Sequence, residues 1–360
     1  MRFWDRQAAA RTHTRRLLLA FAFTVVVLLV AVHGALALAW WCIAWLLPGH
    51  LDFPAGFLVT NIGVSLALVL GGWWLETSNL RAGGVKLAQR VGAREARPGS
   101  SHAEQRLCNV VHELCIAAHM PEPQVMVLPR AEAINAFAAG WDAQDAVVAV
   151  SQGALEHLTR EELQGMVAHE LSHLHEGDTR LNMRLAGMCY GLELVYRFGE
   201  QLRERGGLAW WFGSAIVLAG SVGWLAGRVL KAAVARQREH LADARAVQWT
   251  RSRDGLGGVL RKVMAQRRDT PAGYAENPVH TGLAHPAVQH MLLVEPPHRR
   301  AWQDHLDSHP PLAERVRRIY GRPMPPLPLQ PLQHPPEPRP PAAASVPGAV
   351  PLAALHDPYA

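Results

Sequence analysis

Residues 167–173 read VAHELSH, which sets two histidines four apart with a glutamate directly after the first. Four residues make about one helical turn, so on a helix His169 and His173 fall on one face and can share a single metal ion. A catalytic zinc takes three protein ligands and keeps a fourth position for water, whose pKa the metal draws toward neutrality. A carboxylate beside that position accepts the proton, and Glu170 stands where such a base is needed. The motif is weak alone. A chain of 360 residues with 19 histidines yields a chance H-E-x-x-H roughly 5% of the time, so the surrounding residues have to decide.

The flanks supply the helix. Thr159 with Glu162 three residues on forms a capping box, Leu163, Met166, Val167, Leu171 and Leu174 recur at helical spacing, and Gly177 ends the run. A third ligand must come from another element. Residues 236–249, RQREHLADARAVQW, read as a second helix with Glu239 and Asp243 four apart on one face. Glu239 would bind the ion there, and Asp243 would orient a ligand histidine by accepting its other N–H. A solvated acid pair among arginines describes this helix equally well. Upstream, residues 102–119 read as a helix, 124–128 and 146–150 as short strands, and INAFAAG at 134–140 as an edge strand.

These elements belong to a chain that is 49% hydrophobic with 12 tryptophans, a composition at odds with a wholly soluble protein. Residues 17–47 and 56–75 lack Asp, Glu, Lys and Arg and are long enough to span a bilayer, and 206–227 is a third such run. Trp40, Trp41, Trp45, Trp73 and Trp74 lie near run ends, where indoles favour the interface. Ala35-Leu36-Ala37 has the look of a signal cleavage site, but the apolar run continues past it, which favours a retained anchor. Basic residues precede the first run and follow the second, while the connecting PGHLDFPA has none, so both flanks are expected on the cytoplasmic side. They account for much of the net charge of +6, and no nucleic-acid motif competes for it. Cys42, Cys108, Cys115 and Cys189 form neither a CxxC pair nor a disulfide framework and read as packing residues, as does His33 inside the first run. From Pro323 the composition cannot build a core and is expected to be disordered or extended.

HELSHLHEGD followed by RQREHLAD, with NAFA upstream and SHPPLAERVRRI downstream, resembles the HtpX family of integral-membrane zinc endopeptidases, relatives of the prenyl-protein CAAX endopeptidases. The likeness covers residues 10–321 and keeps its parts in order. It implies one Zn2+ per chain held by His169, His173 and Glu239, Glu170 as general base, and Asp243 behind a ligand histidine. It also implies that Asn135, Ala136, Phe137 and Ala138 belong to an edge that receives an extended peptide. His309 in SHPP matches a family position that would steady the carbonyl oxygen of the tetrahedral intermediate. The chain departs from the family at His240, where relatives usually carry an aromatic. Neighbours on a helix point about 100° apart, so Glu239 and His240 cannot face one ion equally. His280, His285, His290, His298 and His305 read as loop histidines.

The expected fold is a multi-pass α-helical membrane protein with a mainly helical α+β zincin-like metallopeptidase domain carrying a small sheet. It divides into a basic cytoplasmic N-terminus (1–16), two transmembrane helices (17–76), a first peptidase part with the H-E-x-x-H helix (77–178), a hydrophobic and membrane-embedded helical hairpin (179–231), a second peptidase part with the Glu ligand (232–322), and a Pro-rich disordered tail (323–360). The expected function is zinc-dependent endopeptidase action on peptide or membrane-protein substrates in membrane-protein quality control. Its expected place is the bacterial inner membrane, with the catalytic domain facing the cytoplasm, the lipid bilayer as partner and no nucleic acid. Two other readings stand beside it. A CAAX-type endopeptidase needs a lipid-accommodating chamber, for which at most four hydrophobic segments are available. A membrane scaffold with a structural or vestigial metal site would have no use for Glu170.

Overall fold

A long uncharged run satisfies its own backbone groups best as a helix. In the computed structural model, which describes residues 3–47, 52–269, 287–294 and 309–329, α1 spans Phe3–Leu46 and α2 Phe57–Leu80. There follow α3 (Gly84–Arg90), β1 (Arg94–Glu95), α4 (His102–Ala118), β2 (Gln124–Leu128), β3 (Ala136–Ala139), β4 (Val147–Ser151), α5 (Gln152–His157) and α6 (Arg160–Glu176). The chain continues with α7 (Asp178–Glu204), α8 (Gly207–Thr250), α9 (Arg253–Asp269), a 3-10 turn (Gln289–Met291) and α10 (Leu312–Tyr320). The apolar run at 206–227 and the acid-bearing helix at 236–249 are one helix of 44 residues, because the intervening RVLKAAVA holds no proline or glycine to break it.

Helices α7 and α8 form an antiparallel hairpin that turns at Arg205 and Gly206. Gly213 lies against Arg203, Gly220 against Tyr196 and Gly223 against Leu192, and the Cys189 thiol reaches the Gly227 carbonyl. A Cβ at Gly213 would stand 2.5 Å from the Arg203 nitrogen, and one at Gly191 would stand 2.3 Å from the Val69 carbonyl of α2. Glycine is therefore what lets α2, α7 and α8 approach backbone to backbone. Among the described residues, three helices are long and apolar enough to cross a membrane, Leu17–Leu46, Phe57–Leu80 and Gly207–Thr250. The charged helix α7 is sheltered among them: Leu185, Met188, Leu192 and Val195 share a core with Leu17, Phe21, Val25 and Leu28 of α1, while Arg197 donates to Glu193 at 2.9 Å. The His33 ring packs 5.7 Å from that of Phe57.

The sheet runs β1-β2-β4-β3, with β2 and β4 parallel and the outer pairs antiparallel, so β3 is an edge. Strands β2, β3 and β4 are buried on both faces, which is why they read as short continuous apolar runs. One face packs on α4, α6 and α9 through Val110, Leu114, Val148, Leu163, Val167 and Leu260, and the other holds Leu87, Phe137, Ala149 and Met183. The first residues of the Pro-rich segment lie on the domain. Arg261 of α9 donates to the Pro325 carbonyl at 2.8 Å, the Leu327 N–H donates back to the Arg261 carbonyl at 3.1 Å, and Met324 and Leu329 pack on the core. Proline-rich chain can be laid out extended on a surface already built, and residues 323–329 are. Residues 330–360, like His280, His285, His298 and His305, lie outside the described residues.

Candidate metal centre

Helix α6 is fixed at both ends before any metal is considered. The Thr159 side chain accepts from the Glu162 N–H, the Glu162 carboxylate accepts from the Thr159 N–H at 2.8 Å, and Lys262 of α9 donates to that carboxylate at 2.7 Å. Gly165 lets α9 press in, since a Cβ there would stand 2.3 Å from the Leu256 nitrogen. Enclosed in this way, His169, Glu170 and His173 are 0%, 1% and 9% exposed. Gly177, at φ 75°, stops α6 and α7 starts at once, and the hairpin then returns Glu239 of α8 to the same place.

Ligand atoms of His169, His173 and Glu239 all lie within 4.8 Å of one another. The two Nε2 atoms are 3.3 Å apart, and Glu239 Oε1 and Oε2 lie 3.3 Å from His173 Nε2 and 3.5 Å from His169 Nε2. Tetrahedral zinc with nitrogen and oxygen ligands at about 2.0–2.2 Å separates those ligands by about 3.3–3.5 Å, so the set fits that ion. Glu170 Oε1 beside them is buried without a hydrogen-bond partner. Burial pushes the Glu170 carboxyl above the ordinary glutamate range, with Glu239 adding to it against the neighbouring histidines. Burial works against a charged His173, yet Asp178 and Glu239 outweigh it and push its pKa up to about 10. The same carboxylates that favour a cationic imidazole here would favour a metal cation, which has to displace the imidazole proton to bind.

Each ligand ring is held from behind. Asp243 Oδ1 lies 3.1 Å from His169 Nδ1, and Asp178 Oδ2 lies 3.1 Å from His173 Nδ1, which turns both Nε2 atoms toward the shared point. Asp178 also binds Arg238, and Glu176 binds Arg245, so two ion pairs tie the end of α6 to α8 on either side of Glu239. Arg315 of α10 is 0% exposed and donates to Asp243 through Nε at 2.9 Å and Nη2 at 2.6 Å, with Nη1 3.4 Å from Glu239 Oε2. His309 Nε2 lies 3.4 Å from Glu239 Oε1, which brings this residue to the ligand cluster. His240 does not join it: its Nε2 faces Glu314 at 3.9 Å. Of the crowded histidines, His290 is buried with Nε2 3.0 Å from the Asn182 carbonyl. NAFA forms β3 and its entry, with Ala136, Phe137 and Ala138 in the edge strand and the Asn135 side chain bonded to the backbone of Val294.

The two residues that motif reading missed are Asp178 and Arg315. With this geometry in hand, the comparisons decide the family: the model of peptidase family M48 matches residues 101–322, which hold every residue of the cluster. The chain belongs to peptidase family M48. It is a zinc metallopeptidase of the HtpX-like kind. A protease HtpX homolog of Dictyoglomus turgidum is 33% identical over 224 residues, covering 59% of this chain and 68% of the relative. One of Lactobacillus acidophilus is 32% identical over 242 residues, covering 59% and 72%, and one of Streptococcus uberis is 26% identical over 283 residues, covering 74% and 89%. No solved structure matches the chain. The M48 match begins at Ser101, so α1 and α2 precede it, whereas the hairpin of α7 and α8 lies within it.

Proposed function

We propose that this M48 peptidase cuts internal peptide bonds of membrane-associated proteins, with His169, His173 and Glu239 holding one zinc ion and Glu170 as general base. The carrying observation is Glu170 Oε1, buried and unpartnered beside three converging ligand atoms. A buried oxygen with no protein partner is costly unless a partner comes to it during turnover. When bound, zinc supplies Lewis acidity to the attacking water and the scissile carbonyl. Glu170 takes a proton from that water as its oxygen attacks the carbonyl carbon. The C–N bond then breaks and Glu170 hands the proton to the departing amine. Burial raises the Glu170 carboxyl, which favours its holding the proton between the two halves of this exchange. His309 would donate to the carbonyl oxygen as charge develops there, and β3 would align the peptide backbone. Purified full-length protein in detergent is expected to digest a denatured protein such as casein, to stop when a chelator strips the metal, and to recover with stoichiometric zinc. Digestion that persists after stripping overturns this reading.

A site tethered by these apolar helices would meet membrane-associated polypeptide first, and quality control of membrane proteins is the role that fits such a placement. In this reading α1, α2 and the α7–α8 hairpin cross the bacterial inner membrane, and both peptidase parts face the cytoplasm. One ion cannot be held from two sides, so α6 and the ligand end of α8 share a side and the hairpin between them crosses twice or not at all; this reading takes the two crossings, since Gly207–Thr250 is long and apolar enough for one of them. The basic flanks put that side in the cytoplasm. With the four native cysteines replaced, Leu208→Cys at the hairpin turn is expected to react with an impermeant maleimide on intact spheroplasts, and Gln248→Cys only after permeabilisation. Labelling of Gln248→Cys on intact spheroplasts reverses the orientation, and labelling of neither makes the hairpin shallow.

A further inference from the structure

We propose that Leu292–Val294 is a fixed stop strand that closes the peptide-binding edge of β3 from Ala136 to the Ala138 N–H, leaving substrate to pair only from the Ala138 carbonyl toward Trp141. The inference rests on β3 being the edge that receives the peptide. In an antiparallel pair, alternate residues turn their N–H and C=O groups toward the partner strand and away from it. The Asn135 carbonyl accepts from the Ser151 N–H of β4 at 3.0 Å, so Asn135, Phe137 and Ala139 face β4 while Ala136, Ala138 and Gly140 face outward. Both outward groups of Ala136 are taken by the chain itself. Its carbonyl accepts from the Leu293 N–H at 2.8 Å, and its N–H donates to Asn135 Oδ1 at 3.0 Å. Phe137 and Leu292 pair there as an antiparallel bridge.

The segment is anchored as firmly as the core. Leu292, Leu293 and Val294 are 0%, 1% and 5% exposed and join the cores on both faces of the sheet. Asn135 Nδ2 donates to the Val294 carbonyl at 2.8 Å, and the Val294 N–H donates to Asn135 Oδ1 at 3.3 Å. Arg315 Nη1 donates to the Leu293 carbonyl at 3.0 Å, so the arginine beside Glu239 and Asp243 also holds the stop. Asn135 is thus a positioning residue: its amide is spent on the stop strand. Toward its opposite end the edge has no backbone partner on its outward side among the described residues. It runs out at Trp141, whose ring N–H donates to the Leu80 carbonyl at 2.7 Å beside a cavity of about 680 Å3 lined by Trp73, Thr77, Arg81, Trp141, Arg184 and Met188. A bound peptide is therefore blocked at one end and free to extend along α2 at the other.

The test is a set of peptides with one common scissile bond, lengthened residue by residue on either side. With wild-type enzyme, kcat/KM is expected to keep rising on one side and to level off within two residues on the other. Asn135→Ala is expected to release that limit, so that further residues on the blocked side raise kcat/KM about tenfold, the worth of one or two net hydrogen bonds. Equal gains on both sides with wild-type enzyme overturn the stop. Since Asn135→Ala also loosens the core, a second measurement leaves the edge intact: hydrogen exchange of the 287–294 segment in zinc-loaded Glu170→Gln, free and saturated with a long peptide. Protection of the Leu293 amide in both states is expected. Its loss on peptide binding shows substrate displacing the segment and overturns the stop. Wild-type enzyme that binds zinc and cleaves none of the peptides overturns the peptidase reading, and the stop with it.

Discussion

Glu170→Gln is expected to retain a full complement of zinc and to lose peptidase activity by about 10²–10⁴-fold, the range that a positioned proton-transfer group supplies. The amide has almost the same shape, so a side chain only 1% exposed can be replaced without a cavity, and Glu170 Oε1 has no hydrogen bond to lose. All three ligands stay, which is why the metal should. What disappears is a group able to take up a proton and give it back. The stability readout has a definite sign in the metal-free protein. Burial raises the folded-state pKa of Glu170, so its ionised form costs stability above the ordinary glutamate pKa, and the cost fades as pH falls below that value. Glutamine removes the cost, so metal-free Glu170→Gln should melt no lower than wild type at neutral pH, as expected where function is held against stability. Zinc content, melting temperature and kcat/KM on one preparation check all three statements. Activity within tenfold of wild type would remove Glu170 from the base role, and loss of zinc would make it a ligand.

How much of this was legible in the sequence depends on how local each signal is. Helix α6 was readable because its capping box, its apolar spacing and its Gly177 stop are contained in one stretch. Strands β2 and β4 were readable as short apolar runs, and β3 as an edge. A change of composition hides the union of the apolar run with the Glu239 helix, although no residue between them stops a helix. Asp178 carried a usable signal: an acid directly after a left-handed glycine stop is folded back beside the last turn, here onto His173. Arg315 carried none. It sits in AERVRRI with Arg317 and Arg318, and only its distant partners Asp243, Glu239 and the Leu293 carbonyl make it the buried one. Residues 292–294 were equally silent, because pairing with Ala136 and Phe137 across such a sequence separation leaves no periodicity to read.

Neighbouring substitutions on α8 should give opposite results. Glu239→Ala is expected to lose zinc under conditions where wild type keeps it, with an affinity loss beyond the about 10–100-fold that an outer partner costs. His240→Ala is expected to keep it. Both residues belong to one helical turn, yet Glu239 is 4% exposed with both oxygens within 3.5 Å of the histidine Nε2 atoms, while the His240 ring faces Glu314. Removing Glu239 also strips a carboxylate from the fully buried Arg315, and breaking such a pair costs about 3–5 kcal/mol, so lost zinc in Glu239→Ala could reflect a weakened fold. Glu239→Gln separates the two effects, because it keeps the volume and an oxygen for Arg315 while surrendering the charge a zinc ligand needs. The expected order of zinc retention in a chelator buffer is wild type and His240→Ala first, Glu239→Gln well below them, and Glu239→Ala last. Cobalt substitution supplies an independent readout, since its visible spectrum reports the ligand set without any turnover. An unchanged cobalt spectrum in Glu239→Gln, with a changed one in His240→Ala, would move the third ligand one residue along the helix. The Arg315 and Asp243 network would then be bracing a carboxylate that binds nothing.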